Sequence, residues 1–228
     1  MENAGKPRKI VSALLKIVVF CSAFLGTFLS AYAGRNSFMG GRTVFMYFTI
    51  QSNIAIGIIS CIGLFKLFGK KQISDLWYVI KFVGTISITL TGVVFCFVLA
   101  PTMGKYAWNI QNILTHVVVP LAAVIDFFVA CFDADIKKKN VIWDICPPIL
   151  YAIYAGIGYA LNWQFAQGYN YPYFFLNWGS PAGAFGFSNE LPFMGCAWWI
   201  LTLLIFLIIV GFCYLLIGDC IKKICKKK

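Results

Sequence analysis

Six blocks of apolar residues, each long enough to cross a lipid bilayer, constrain this chain more than any other feature of its sequence. A helix needs roughly 20 apolar residues to span the hydrocarbon core. Backbone in lipid has no water to bond with, so each block must satisfy its own amides as helix rather than as open sheet. The pattern predicts an all-α, polytopic membrane protein with transmembrane spans at about 10–33, 44–68, 76–100, 107–132, 142–165 and 194–217. Composition agrees: 61% of the 228 residues are hydrophobic and 12% charged, more apolar surface than a soluble domain of this size can hide. The first block is longer than a signal-peptide core, and Ala31-Tyr32-Ala33 is its one cleavage-like stretch, so it reads as a span.

A net charge of +11 suggests nucleic acid in a soluble protein, but here the positions of the charges argue for a membrane. Sixteen of the 19 basic residues fall on one side of the predicted topology: Lys6, Arg8, Lys9 and Lys16; Lys66, Lys70, Lys71 and Lys81; Lys137, Lys138 and Lys139; and Lys222, Lys223, Lys226, Lys227 and Lys228. Arg35, Arg42 and Lys105 fall opposite. This positive-inside pattern puts the basic side, and with six spans both termini, in the cytoplasm. The basic tail is placed to meet anionic lipid headgroups. No nucleic-acid partner is expected.

The chain reads as a single domain, 1–228, without linker, low-complexity segment or internal repeat. Short connections make consecutive helices antiparallel neighbours. The outer segment 166–193 is the exception, at about 28 residues. A loop this long is uncommon unless functional or disordered, and its run Tyr169-Asn170-Tyr171-Pro172-Tyr173-Phe174-Phe175-Leu176-Asn177-Trp178 is too aromatic for disorder. It reads either as an interfacial aromatic belt or as a lid over an outward-facing site.

Polar residues inside the spans carry the functional information, because each is costly in hydrocarbon. On the second helix Thr49, Ser52 and Asn53 share a face, with Arg42 near that face two turns away. Helix–helix glue is the bland reading of that set. On the fourth, Asn109, Asn112 and His116 form an i, i+3, i+7 stripe, beside Thr115. His116 is the sole histidine, roughly 13 Å below the outer edge by helical rise. Without cysteine or carboxylate at ligand spacing it makes no metal site, and no cofactor is implied. Thr49 lies at a similar depth once a tilt of around 20° is allowed. A hydroxyl beside an imidazole is the minimal acyl-transfer pair: the histidine takes the proton as the hydroxyl attacks a carbonyl. Asn53 and Asn112 lie one turn away, where their amides could donate to the oxyanion; Ser52 and Arg42 are further positioning candidates.

The carboxylates Asp126, Asp133, Asp135 and Asp144 cluster near the cytoplasmic interface, where they are expected to sit among the lysines. Asp126 is about 15 Å along the axis from His116, too far to orient it. Thr85, Thr89 and Gly92 on the third helix have the spacing of close helix packing. The nine cysteines show no paired metal spacing, lie mostly within spans, and read as small apolar residues. The same polar residues admit other readings: a transporter or channel with a polar path, or a non-catalytic lipid-binding protein that uses them as helix glue.

Three segments occur in an order that resembles a known family: Tyr47-Phe48-Thr49-Ile50-Gln51-Ser52-Asn53, Asn112-Ile113-Leu114-Thr115-His116-Val117-Val118-Val119-Pro120, and Tyr171-Pro172 near Phe175-Leu176. Together they look like the androgen-induced-gene family and its bacterial six-helix relatives, from the second helix to the sixth. Animal members are intramembrane threonine hydrolases of fatty-acid esters of hydroxy fatty acids. The resemblance implies Thr49 as catalytic nucleophile, His116 as its base, and a membrane lipid or acyl ester as substrate; a membrane acyltransferase, with an alcohol in place of water as acceptor, is a close chemical variant. Gln51-Ser52-Asn53 is closer to the bacterial branch, which implies a bacterial cell membrane.

Overall fold

The structure is a computed structural model that describes residues 5–35, 41–69, 73–131, 134 and 136–226, with side chains to Ile224. Asp133, Asp135, Lys70, Lys71, Lys227, Lys228 and the side chains of Cys225 and Lys226 lie outside the described residues. Six helices are long and apolar enough to cross a membrane. They are α1 (Lys6–Gly34), α2 (Phe48–Phe68), α3 (Asp75–Ala107), α4 (Ile110–Ala130), α5 (Lys138–Ala160) and α6 (Cys196–Ile224). Among the described residues the remaining structure is turns, short 3-10 segments and two isolated β-bridges.

Most predicted boundaries lie within about a turn of the observed ones; the sixth span runs on to Ile224, past residue 217, and three other differences have local causes. The third span continues to Ala107, past residue 100, and turns at Gly104, whose φ of 57° suits a residue without Cβ. The fifth ends at Ala160 rather than near 165, and Asn162 follows in a left-handed conformation with φ 54°. The second begins at Phe48, not near 44; residues Gly41–Met46 form a separate 3-10 segment.

Helices α1 to α4 pack in a closed ring, α1 on α2, α2 on α3, α3 on α4 and α4 on α1. Val19, Ala23, Ile56, Ile88, Val119, Ala122 and Ala123 fill the centre of that ring. Helix α6 leans on α3 and on the first turns of α5, around Phe82, Phe127, Val141 and Leu207. Lipid is as apolar as these side chains, so close packing and polar contacts must hold the helices together.

The principal polar staple is a buried ion cluster. Ser12 Oγ and Lys16 Nζ both donate to Asp126 Oδ1 at 2.7 Å, and Lys81 Nζ donates to Asp126 Oδ2. All four residues are at most 5% exposed. Lys16 and Lys81 are therefore not interfacial lysines as their place in the charge pattern suggested. Asp126 does sit between lysines, but inside the bundle. Asp144 also departs from expectation. It is fully buried, its two carboxyl oxygens have no hydrogen-bond partner among the described residues, and it packs against α6 where a Cβ on Gly211 would strike it.

Candidate active site

Two prolines shape the site. Pro101 and Pro120 lack the N–H that would close the α-helical bond one turn back. Each is preceded by a π turn, Phe95–Leu99 in α3 and Leu114–Val118 in α4, where Ala100 N–H reaches Phe95 O and Val119 N–H reaches Leu114 O. Such single π turns are often found at functional sites. Here they bring Phe95 and His116 face to face, with ring centroids 3.8 Å apart and planes 18° from parallel. Glycines allow the neighbours to close in. A Cβ on Gly92 would stand 3.0 Å from the His116 carbonyl, and one on Gly26 would stand 2.7 Å from the Thr115 methyl.

His116 is 7% exposed. Its Nδ1 lies 3.1 Å from the Asn112 carbonyl and 3.0 Å from Thr115 Oγ1. A carbonyl only accepts, and Thr115 Oγ1 already donates to Gln111 O at 2.8 Å, so both partners favour the tautomer with its proton on Nδ1. The lone pair then lies on Nε2, which is 3.3 Å from Thr49 Oγ1. The group that orients the imidazole is thus a backbone carbonyl, where hydrolase triads use a carboxylate.

Thr49 is the second residue of α2, whose first amides lack helical partners. Tyr47, at the N-cap, has no side-chain cap, and the phenol of Tyr173 takes that part: Thr49 N–H donates to Tyr173 Oη at 3.3 Å. The same oxygen lies 3.5 Å from Thr49 Oγ1. Tyr173 arrives from the long loop, held by Phe175 stacked on its ring at 5.1 Å and by edge contact with Tyr47. The phenol end is turned into the bundle, and burial pushes its pKa above the ordinary tyrosine value, so it keeps its proton at neutral pH. Tyr173 went unnoticed in the sequence. Loop residues carry no periodicity, and only the aromatic density of 169–178 marked the segment.

The other candidates play different parts. Asn53 donates through Nδ2 to the Thr49 carbonyl at 2.8 Å and to the Thr115 carbonyl at 3.1 Å. Both its amide hydrogens are committed, so Asn53 ties α2 to α4 and does not supply an oxyanion donor. Asn112 Nδ2 donates to Ala107 O at 2.9 Å and works through its carbonyl on His116. Ser52 Oγ donates to Thr49 O and lies 2.7 Å from Thr91 Oγ1, joining α2 to α3. Arg42 is exposed, on the 3-10 segment before α2 rather than on the helical face.

Thr49 and Tyr173 open onto an apolar cavity of about 60 Å³, walled by Phe48, Leu90, Val94 and Tyr151. It has room for a reacting carbonyl and a few carbons. Among the described residues no group of three or more His, Cys, Asp or Glu could hold a metal ion. Comparison with family models, with curated proteins and with solved structures finds no match to this chain.

Proposed function

We propose that this protein is an intramembrane threonine-type lipid ester hydrolase, related to the androgen-induced-gene family, with both termini in the cytoplasm. The observation that carries the reading is the line of polar groups from Tyr173 through Thr49 to His116 Nε2, successively 3.5 Å and 3.3 Å apart. In the reaction, Thr49 Oγ1 attacks the ester carbonyl carbon and its proton passes to His116 Nε2. The carbonyl oxygen becomes an oxyanion at the positive end of α2, within reach of the Tyr173 O–H. The imidazolium returns the proton to the departing alkoxide, leaving an acyl group on Thr49. Water, deprotonated by His116, then attacks that acyl carbon; the bond to Thr49 Oγ1 breaks, Oγ1 takes the proton back from the imidazolium, and the carboxylic acid leaves. The Asn112 carbonyl keeps Nδ1 protonated throughout, so Nε2 exchanges the proton.

The apolar walls around Thr49 suit an acyl chain better than a polar substrate. Fatty-acid esters of hydroxy fatty acids are the substrate class suggested by the sequence resemblance, a bacterial cell membrane is the setting, and anionic headgroups are partners of the basic tail. Reporters fused at either end read the orientation, and activity of both on the outer side would refute it. The functional test is release of free fatty acid from a long-chain ester in proteoliposomes. Wild type is expected to turn over, and Thr49→Ala and His116→Ala each to lose turnover by at least about a hundredfold. Undiminished release by both variants would refute the proposal.

A further inference from the structure

A second, larger cavity lies outside the site. The body of α5 stands off from α2 and α3, leaving a lateral groove of about 970 Å³. Its walls are apolar, with Ala55 and Ile59 of α2, Val83 of α3 and Leu150 of α5 among them. One end closes on Gln51 and Ser52, beneath the Phe48–Tyr151 ring contact that also walls the Thr49 cavity. The other end opens between Lys137, Lys139 and Asp75, beside Asn140 and Trp143. Lys137, Lys139 and Trp143 are exposed, and a tryptophan at this position sits at headgroup level.

Length and charge select the occupant. From Asp75 to Ser87 the groove follows α3 for twelve residues, roughly 18 Å of helical rise. A bilayer core is about 30 Å thick, so this is close to the depth of one leaflet. A partner helix would need a face twice as long. Two lysines against one carboxylate leave the mouth positive where a lipid headgroup would lie. We propose that the groove binds one glycerophospholipid of net negative charge, its phosphate at Lys137 and Lys139 and its acyl chains along Ala55, Val83 and Leu150. The site is separate from the basic tail and uses neither Thr49 nor His116, so it stands or falls independently of ester turnover.

The test uses the full chain in mild detergent, with native mass spectrometry reading the binding of dioleoyl phosphatidylglycerol, dioleoyl phosphatidylcholine and glycerol 3-phosphate. A basic residue near an anionic headgroup contributes about 1 kcal/mol. Lys137→Ala/Lys139→Ala is therefore expected to weaken phosphatidylglycerol binding about thirtyfold and phosphatidylcholine binding far less, because the choline cation offsets its phosphate. Both side chains are exposed, so folding is not at stake. Ala55→Trp, which fills the groove from an exposed position, is expected to remove the bound lipid. Equal loss for both lipids in the lysine variant, lipid retention in Ala55→Trp, or glycerol 3-phosphate binding as tightly as the lipid would each overturn the proposal. So would a wild-type dimer that Ala55→Trp dissociates without any change in bound lipid.

Discussion

Replacing Asp126 with Asn tests whether the buried ion cluster holds the bundle together. The carboxylate accepts from Ser12, Lys16 and Lys81, on α1 and α3, while itself belonging to α4. Asn keeps the shape, removes the charge and turns an N–H₂ group toward one of the ammonium groups. Two cations that are 3% and 5% exposed then lack a counter-charge. Breaking a buried pair by removing one partner costs about 3–5 kcal/mol. A chain of this size loses about 2–4 °C of melting temperature per kcal/mol, so the expected fall is roughly 6–20 °C. Purified protein heated in detergent, followed by loss of helical circular dichroism, gives the value. The cycle with Lys81→Met sharpens the test: the double variant is expected to lose less than the two single variants combined, because each removes the other's partner. A fall of only about 1–2 °C for Asp126→Asn, or simple additivity in the cycle, would mean that the ion cluster does not hold the bundle together.

Three further substitutions probe the site. Tyr173→Phe removes one oxyanion donor together with the cap on Thr49 N–H, and is expected to lower ester turnover by about 10²–10³ for a fall of only a few degrees in melting temperature; full activity would show that the loop phenol only caps α2. Pro120→Ala restores an N–H, and return of the π turn to α-helix would rotate His116 by about 100°. Turnover is then expected to vanish in a protein that stays folded by circular dichroism. Asn53→Leu leaves two carbonyls without their shared donor and is expected to cost about 1–3 kcal/mol of stability, read in the same melting experiment, together with a loss of turnover as Thr49 and His116 drift apart.

Much of this arrangement was legible in the chain because the bilayer is a simple solvent. Apolar block length located every span, and the cost of polar groups in lipid singled out Thr49 and His116. The parts that were misread involve contacts between distant segments. Lys16, Lys81 and Asp126 each fall inside a predicted span, which is itself a sign of buried pairing, yet counting the lysines as cytoplasmic charge concealed it. Arg42 falls on the helical face only if the second helix starts early, and it begins at Phe48. Pro101 and Pro120 announce helix defects, but proline alone does not reveal that the two π turns face each other through Phe95 and His116. Tyr173 depends on how an aperiodic loop folds back, which no local pattern encodes.

The proposed reaction begins with Thr49 attacking an acyl carbon, with His116 as its base. Its most direct test is to treat the purified protein with a fluorophosphonate and locate the adduct by peptide mass spectrometry. One adduct is expected, on Thr49 Oγ1, absent from Thr49→Ala and abolished in His116→Ala. An adduct on another residue, or labelling of Thr49 that survives His116→Ala at the wild-type rate, would contradict it.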